Sequence, residues 1–429
     1  MMEWIEVPEQ GLTLRDIRKI TKRDQAESAG IQESVEKIVA AVSERGDEAV
    51  REFTEKFDGV HLDSFVVTAE EIDEAVAIVG ESFMQILKEA RENIRVYHER
   101  QVQSSWIDTF RDGVRLGAQF TPIQRVGVYV PGGTAAYPST VLMDTVPAQV
   151  AGVPSIAVFT PPGRDGKVNP YILAAAHIAG ATEIYKIGGA QSIAAAAYGT
   201  ETIPPVFKIV GPGNAFVAMA KRLVFGIVGI DMIAGPSEVG ILADDSANPV
   251  WVAADLLAQA EHDRRAAVFL ATPSRTLAKA VQAEVERQTK ELPRHDIIAE
   301  SITNYGKIFL TQDRQQAVDI MNLIAPEHLE IDFEDPESYV PKIVNAGAIF
   351  MGSYTPEPIG DYFAGPNHTL PTMGTAAFSS PLGVYDFVKK SSLLQYDKQA
   401  FEAVAQKVEA FANVEGLQAH GMAVRRRMK

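Results

Sequence analysis

Residues 206–216 read Val206-Phe207-Lys208-Ile209-Val210-Gly211-Pro212-Gly213-Asn214-Ala215-Phe216, a β-rich apolar run that stops at a Gly/Pro turn and opens a helix-length segment. The chain keeps this grammar from about Val126 onward. Val126 to Val130, Ser155 to Phe159 and Glu183 to Ile187 are strand candidates trailed by Pro131-Gly132-Gly133, Pro161-Pro162-Gly163 and Gly188-Gly189. The segments between them are long enough for crossover helices, so the strands are expected to lie parallel. The pattern restarts with Val239 to Ala243, Ala267 to Ala271, Lys307 to Thr311 and Ala348 to Met351, separated by helical stretches such as Trp251 to Glu261 and Arg275 to Thr289. Two α/β units of similar build are therefore expected. In open sheets of this kind ligands sit beyond the carboxyl ends of strands, near the point where strand order reverses, and the Gly/Pro loops fall at those places.

Outside these units the text is helical. Thr68 with Glu71 forms a capping box ahead of Ile72, and Phe83, Ile86, Leu87, Ala90, Ile94 and Tyr97 share one face. After Pro381 the pattern is again helical, with Ala400 to Phe411 amphipathic.

The chain has 429 residues, 46% of them hydrophobic, with 56 acidic against 40 basic side chains, a net charge of -16 and no cysteine. Such an apolar fraction can fill full cores, while the negative charge argues against nucleic acid or anionic lipid as the main partner. Without cysteine there are no disulfides, thiolate zinc sites, iron-sulfur clusters or thiol nucleophiles, and any chemistry uses nitrogen and oxygen. The start, Met1-Met2-Glu3-Trp4-Ile5-Glu6, lacks the basic and apolar regions of a signal peptide, and a cytoplasmic protein is expected. The basic run Arg425, Arg426, Arg427 and Lys429 reads as a solvated helical tail.

Several segments carry chemistry-bearing residues. Gly211-Pro212-Gly213-Asn214 follows a strand and opens a helix, a place suited to a phosphate or carboxylate, but Phe216 stands where a dinucleotide fingerprint has its third glycine. Asp231 imitates the ribose-binding acid of that fingerprint without a full motif around it. Gln259 and His262 stand three apart at a helix end, where imidazole and amide oxygen suit zinc; a solvated Glu261-His262-Asp263 cluster is the plainer reading. Asp361 and His420, in short glycine-bearing contexts with His368 and Glu415, could supply further ligands. Glu327 and His328 form the best acid-base candidate, although on a regular strand they would point to opposite faces and could serve one site only if the chain bends there. Of the eight histidines, His61, His98 and His295 lie in charged, exposed-looking stretches and His177 on a crossover helix; His262, His328, His368 and His420 form the functional set.

Taken together, the strings RVGVYVPGGTAAYPST, KIGGAQSIAAAAYGT, KIVGPGNAFVAMAKR, GIDMIAGPSEV, ADLLAQAEHD, IAPEHLEI, GDYFAGPNHTLPT and EGLQAHG resemble, in order and spacing, the signature segments of the histidinol dehydrogenase family. The resemblance implies zinc-dependent oxidation of L-histidinol through L-histidinaldehyde to L-histidine with reduction of two NAD, the last step of histidine biosynthesis. It implies one zinc per subunit on Gln259, His262, Asp361 and His420, with Glu327 activating water and His328 as general base. Tyr129, Gln191 and Asn214 match the family's NAD contacts. The substrate would meet Ser237, His368 and Glu415 together with the zinc ligands and His328. The resemblance also implies a homodimer whose C-terminal segments are exchanged, so that Glu415 and His420 serve the neighbouring subunit.

The implied fold is α/β: two similar, incomplete Rossmann-like parallel-sheet domains with small helical N- and C-terminal segments. The expected division is an N-terminal segment over 1–25, a first α/β domain over 26–120 plus 236–380 carrying the metal and catalytic residues, a second over 121–235 with the NAD contacts, and a C-terminal helical segment over 381–429. Ala377 stands where the family pattern has arginine, and Gly240 softens a strand start. Two other functions fit parts of the sequence: a zinc hydrolase using Glu327 on metal-bound water, and a non-catalytic binding protein built on two α/β lobes.

Overall fold

The computed structural model describes residues 1–23, 28–132 and 136–428; Gly133 of the first Gly/Pro loop, the expected boundary at 25 and Lys429 of the basic run lie outside them. The chain divides into two compact units, Met1–Gln101 with Ile123–Phe387, and Val102–Pro122 with Val388–Lys429. The strands in chain order are β1 (Glu3–Glu6), β2 (Trp106–Arg111), β3 (Val114–Pro122), β4 (Arg125–Tyr129), β5 (Ser155–Phe159), β6 (Glu183–Tyr185) and β7 (Lys208–Val210). They continue as β8 (Gly229–Ile230), β9 (Glu238–Ala243), β10 (Ala267–Thr272), β11 (Lys307–Leu310), β12 (His328–Asp332), β13 (Ala348–Met351) and β14 (Val388–Tyr396).

The larger unit holds two parallel sheets. One has five strands in the order β6-β5-β4-β7-β8, the other six in the order β1-β11-β10-β9-β12-β13. Apart from the added edge strand β1, the two orders are the same: each sheet grows outward from its first strand, β4 or β9, and then reverses. The reversal falls between β4 and β7 in one sheet and between β9 and β12 in the other, where Leu329 pairs with Gly240. Both β9 and β10 are buried along their whole length, as a strand covered by helices on both faces must be. Each fully buried Val, Ile or Leu there contributes roughly 1.5–3 kcal/mol. Gly240 has a packing reason: a Cβ would stand 2.7 Å from Met321 Sδ and 3.1 Å from Pro326 Cγ, so the bare backbone lets the helix Arg314–Ile324 lie close on β9.

The capping box of Thr68 and Glu71 is formed, and it opens the helix Ala69–Glu99, kinked at Gly80. The buried face of this helix is turned slightly from the expected one: Met84, Leu87, Ala90, Ile94 and His98 are inside, while Ile86 and Tyr97 are exposed. His98, read as exposed, is fully buried with Nδ1 2.8 Å from the Ile94 carbonyl. Arg425 of the basic run pairs with Glu409.

The smaller unit contains an antiparallel sheet in the order β14-β3-β2, followed by the helices Lys398–Val414 and Gln418–Arg425. The stretch after Pro381 is thus not wholly helical, since Val388–Tyr396 is a strand paired along its length with β3. No helix among the described residues is long and apolar enough to cross a membrane.

Candidate active site

Of the residues singled out for acid-base and metal chemistry, Gln259, His262, Glu327, His328 and Asp361 gather where strands of the six-stranded sheet begin. The helix Arg314–Ile324 stops at Ala325, which takes a left-handed conformation (φ 52°, ψ 61°), and Pro326 cannot continue it. This abrupt exit supplies the bend that Glu327 and His328 require: Glu327 precedes β12 and His328 opens it. The Glu327 and His328 side chains stand on one side of the edge, with Glu327 Oε2 3.9 Å from His328 Nδ1. Glu327 Oε2 also accepts the backbone N–H of Glu238, the first residue of β9, at 3.0 Å. The Glu238 carbonyl lies 3.2 Å from His328 Nδ1.

Three further elements close around this pair. The helix Pro249–Ala260 ends beside it, bringing in the buried Gln259 and, in the turn just past the helix, the exposed His262. With its amide oriented by the surrounding acceptors, Gln259 points Nε2 at Glu357 Oε2 (3.1 Å), the Glu238 carbonyl (3.2 Å) and His328 Nδ1 (3.0 Å), which turns Oε1 the other way. The short helix Glu357–Ile359 passes into a π-helical turn, Gly360–Ala364, so that Glu357 and Asp361 lie one turn apart. Donor atoms of His262, Glu357 and Asp361 all lie within 4.8 Å of one another. His368 completes the group, with Nδ1 3.0 Å from the Asp361 carbonyl and Nε2 3.3 Å from Thr140 Oγ1. Ser237 immediately precedes β9 at the same edge.

This edge is dense in buried charge. Burial pushes the Glu327 carboxyl up to about 7 and Glu357 up to about 8, in each case against the pull of His328. Burial acts to lower His328, yet Glu357, Glu327 and Asp361 around it hold it well above the ordinary histidine value. Burial would raise Asp361, but His328, His368 and His262 keep it below the ordinary range. Among the described residues His328 Nε2 is buried without a hydrogen-bond partner, 3.5 Å from Asp361 Oδ1. Two carboxylates, an imidazole and an amide oxygen with no thiolate form an N/O donor set that suits a divalent cation such as zinc, which would also offset the crowded negative charge.

Glu357 was not among the candidates read from the sequence. Its signal was present in Pro356-Glu357-Pro358, which places an acid four residues before Asp361 in a proline-defined turn.

The residues matched to NAD contacts gather at the opposite kind of edge. Tyr129 ends β4, Gln191 lies in the first turn of the helix Gly189–Tyr198, and Asn214 caps the helix Ala215–Val224. All three line a cavity of about 1060 Å³. Tyr129 Oη accepts the Gly189 N–H at 3.2 Å, and the buried Gln191 Oε1 has no partner among the described residues. Such an orphaned acceptor in a large cleft fits a ligand that brings its own donors. Gly211 carries φ 111°, and a Cβ there would stand 2.2 Å from the Tyr129 carbonyl oxygen, so the loop before Asn214 passes over β4 only as glycine. Asp231 is occupied elsewhere: it pairs with the buried Lys221 and accepts the Gly211 N–H at 2.8 Å, fixing the loop rather than facing the cavity.

Glu415 and His420 belong to the smaller unit. Glu415 ends the helix Lys398–Val414, His420 lies on Gln418–Arg425, and both are exposed. Ala377 is exposed on the turn Thr375–Ala377, at the wall of a second cavity of about 450 Å³.

A family model described as histidinol dehydrogenase matches residues 21–428. A relative named histidinol dehydrogenase from Geobacillus kaustophilus (strain HTA426) is 55% identical over 392 residues, 91% of this chain and 92% of the relative. One of the same name from Bacillus subtilis (strain 168) is 54% identical over 402 residues, 93% of this chain and 94% of its own. Among solved structures, the crystal structure of histidinol dehydrogenase from Elizabethkingia anophelis superposes with a TM-score of 0.94 at 37% identity, covering 100% of this chain and 98% of that one.

Proposed function

Because the chain belongs to the histidinol dehydrogenase family, we propose that it oxidises L-histidinol through L-histidinaldehyde to L-histidine, passing two hydrides in turn to two NAD, as a cytoplasmic enzyme in the last step of histidine biosynthesis. The observation that carries this reading is the gathering of His262, Glu357 and Asp361 within 4.8 Å beside the Glu327/His328 pair. Gln259, His262 and Asp361 would hold one zinc, with Glu357 in the same donor set and His420 of the partner subunit completing it. Zinc, when bound, supplies a template that orients the alcohol and a charge that offsets Glu357 and Asp361. NAD would lie in the cavity of Tyr129, Gln191 and Asn214.

The protein's own groups manage the protons. His328 takes the hydroxyl proton as the hydride leaves the alcohol carbon. Glu327 removes a proton from the water that attacks the aldehyde, and His328, having released the first proton to solvent, then deprotonates the hydrate as the second hydride departs. Ser237, His368 and Glu415 of the partner subunit would line the substrate pocket. Hydrolysis on metal-bound water would leave the cavity of about 1060 Å³ without a role, which favours oxidation over a hydrolase.

The test is NADH formation from L-histidinol with the full chain, before and after chelation and zinc return. Two NADH per histidinol, lost on chelation and regained with zinc, are expected. Substrate cleavage without NADH would replace this reading by a zinc hydrolase. The exchanged dimer is tested by mixing Glu327→Gln and His420→Asn variants: regained activity is expected, and its absence would place each site within one chain.

A further inference from the structure

Arg23 lies far from the acid-base pair in sequence and reaches its rear in space. It is buried, with Nη1 donating to the Pro236 carbonyl at 2.6 Å and Nη2 to Glu238 Oε1 at 2.6 Å. The other carboxylate oxygen of Glu238 accepts the Met373 N–H at 3.1 Å. Met373 takes φ 55°, outside the range side chains ordinarily adopt, so the chain bends unfavourably to deliver that N–H. The Glu238 carboxylate is thus clamped from two sides. Burial pushes this carboxyl up, while Arg23 and the N–H groups of Met373 and Gly374 pull it the other way.

The clamp could simply pin the N-terminal segment to the sheet. What distinguishes it is how the same residue spends its backbone. The Glu238 N–H donates to Glu327 Oε2 at 3.0 Å, and its carbonyl lies 3.2 Å from His328 Nδ1. Any shift of residue 238 therefore moves a hydrogen-bond partner of both proton-handling side chains at once. We propose that Arg23 is a positioning residue that acts through Glu238 to set Glu327 and His328. The proposal rests on reading those two as the proton-handling pair.

Catalytic geometry is steep in distance, and a displacement of about 1 Å can cost about 100-fold in rate. Arg23→Gln, measured as the full chain with zinc, is expected to lower kcat by about 100-fold for both L-histidinol and L-histidinaldehyde, with KM for NAD within about twofold of the parent. Arg23→Lys, which keeps the charge, is expected to recover all but about tenfold of that loss. Removing one partner of a buried pair can unfold a protein, so Glu238→Gln, which keeps the acceptor for Met373, serves as the second variant and is expected to show the same kcat loss. A folded Arg23→Gln or Glu238→Gln with parental kcat overturns the proposal. So does a lowered melting temperature with kcat intact, or failure of both variants to fold, since either assigns the clamp to stability alone. A parent that makes no NADH from histidinol fails at an earlier point and overturns the functional reading itself.

Discussion

In the five-stranded sheet Tyr129, Gln191 and Asn214 stand where strands end, whereas in the six-stranded sheet Glu238, Gln259, Glu327 and His328 stand where strands begin or where a returning helix ends. The strand order is shared, so topology alone does not choose the edge. Electrostatics gives a reason. Helices leaving the carboxyl edge present their N-termini there, as Gly189–Tyr198 and Ala215–Val224 do, and the positive end of the helix dipole favours the phosphates of a dinucleotide. Helices returning to the amino edge present carbonyls and a partial negative charge, as Pro249–Ala260 does beside Gln259 and His262, which favours a cation. One supersecondary plan thus offers an anion-seeking rim and a cation-seeking rim, with the residues matched to NAD contacts on the first and the His262, Glu357 and Asp361 donor set on the second.

The sharpest way to break this division is at the amino rim. Glu327→Gln is expected to slow aldehyde oxidation by about 1000-fold while alcohol oxidation falls far less, read as separate half-reactions by stopped-flow NADH absorbance. Equal losses would remove Glu327 from the water-activating role. Next in size is Gly240→Ala, which forces a methyl against Met321 where the helix Arg314–Ile324 lies on β9 and is expected to cost about 1–3 kcal/mol of stability by denaturant titration.

At the carboxyl rim the expected effects are milder. Gln191→Ala is expected to raise KM for NAD by about tenfold and leave zinc content unchanged. Loss of zinc from this variant would mean that the two rims are not separate.

The smallest effect concerns Asp144, fully buried beneath Gly211 with Oδ1 accepting the Thr369 hydroxyl at 2.6 Å and Oδ2 unpartnered among the described residues. Burial pushes this carboxyl from 3.8 up to about 8. Between those values the folded chain keeps a proton that the unfolded chain has lost, so stability falls as pH rises from about 4 to about 8. Asp144→Asn is expected to flatten that part of the melting-temperature profile and to exceed the parent at the alkaline end. A profile parallel to the parent's would show that Asp144 does not titrate in this window.

Much of the two-sheet plan could be read in the chain because strands such as Ser155–Phe159 and Ala348–Met351 are largely apolar runs followed within two residues by Pro or Gly, and they fall where the pattern places them. The antiparallel strands escaped for the opposite reason. Trp106–Arg111 is exposed along its whole length and Val388–Tyr396 nearly so, which erases the in-out alternation that marks a strand. The carboxyl-edge rule located the cavity of Tyr129, Gln191 and Asn214 but pointed away from Glu327 and His328, whose edge depends on which helix ends carry the polar residues. Glu357 was hidden because a lone acid between prolines looks like a surface turn until the fold buries it.

The tie between the Glu238 N–H and Glu327 also turns one amide into a natural probe. At the first residue of a strand such a hydrogen would ordinarily trade with solvent quickly, whereas here deuterium can enter only when the Glu327 carboxylate swings aside. Deuterium uptake at that single position would clock how often the Glu327 carboxylate leaves the Glu238 N–H in the resting protein.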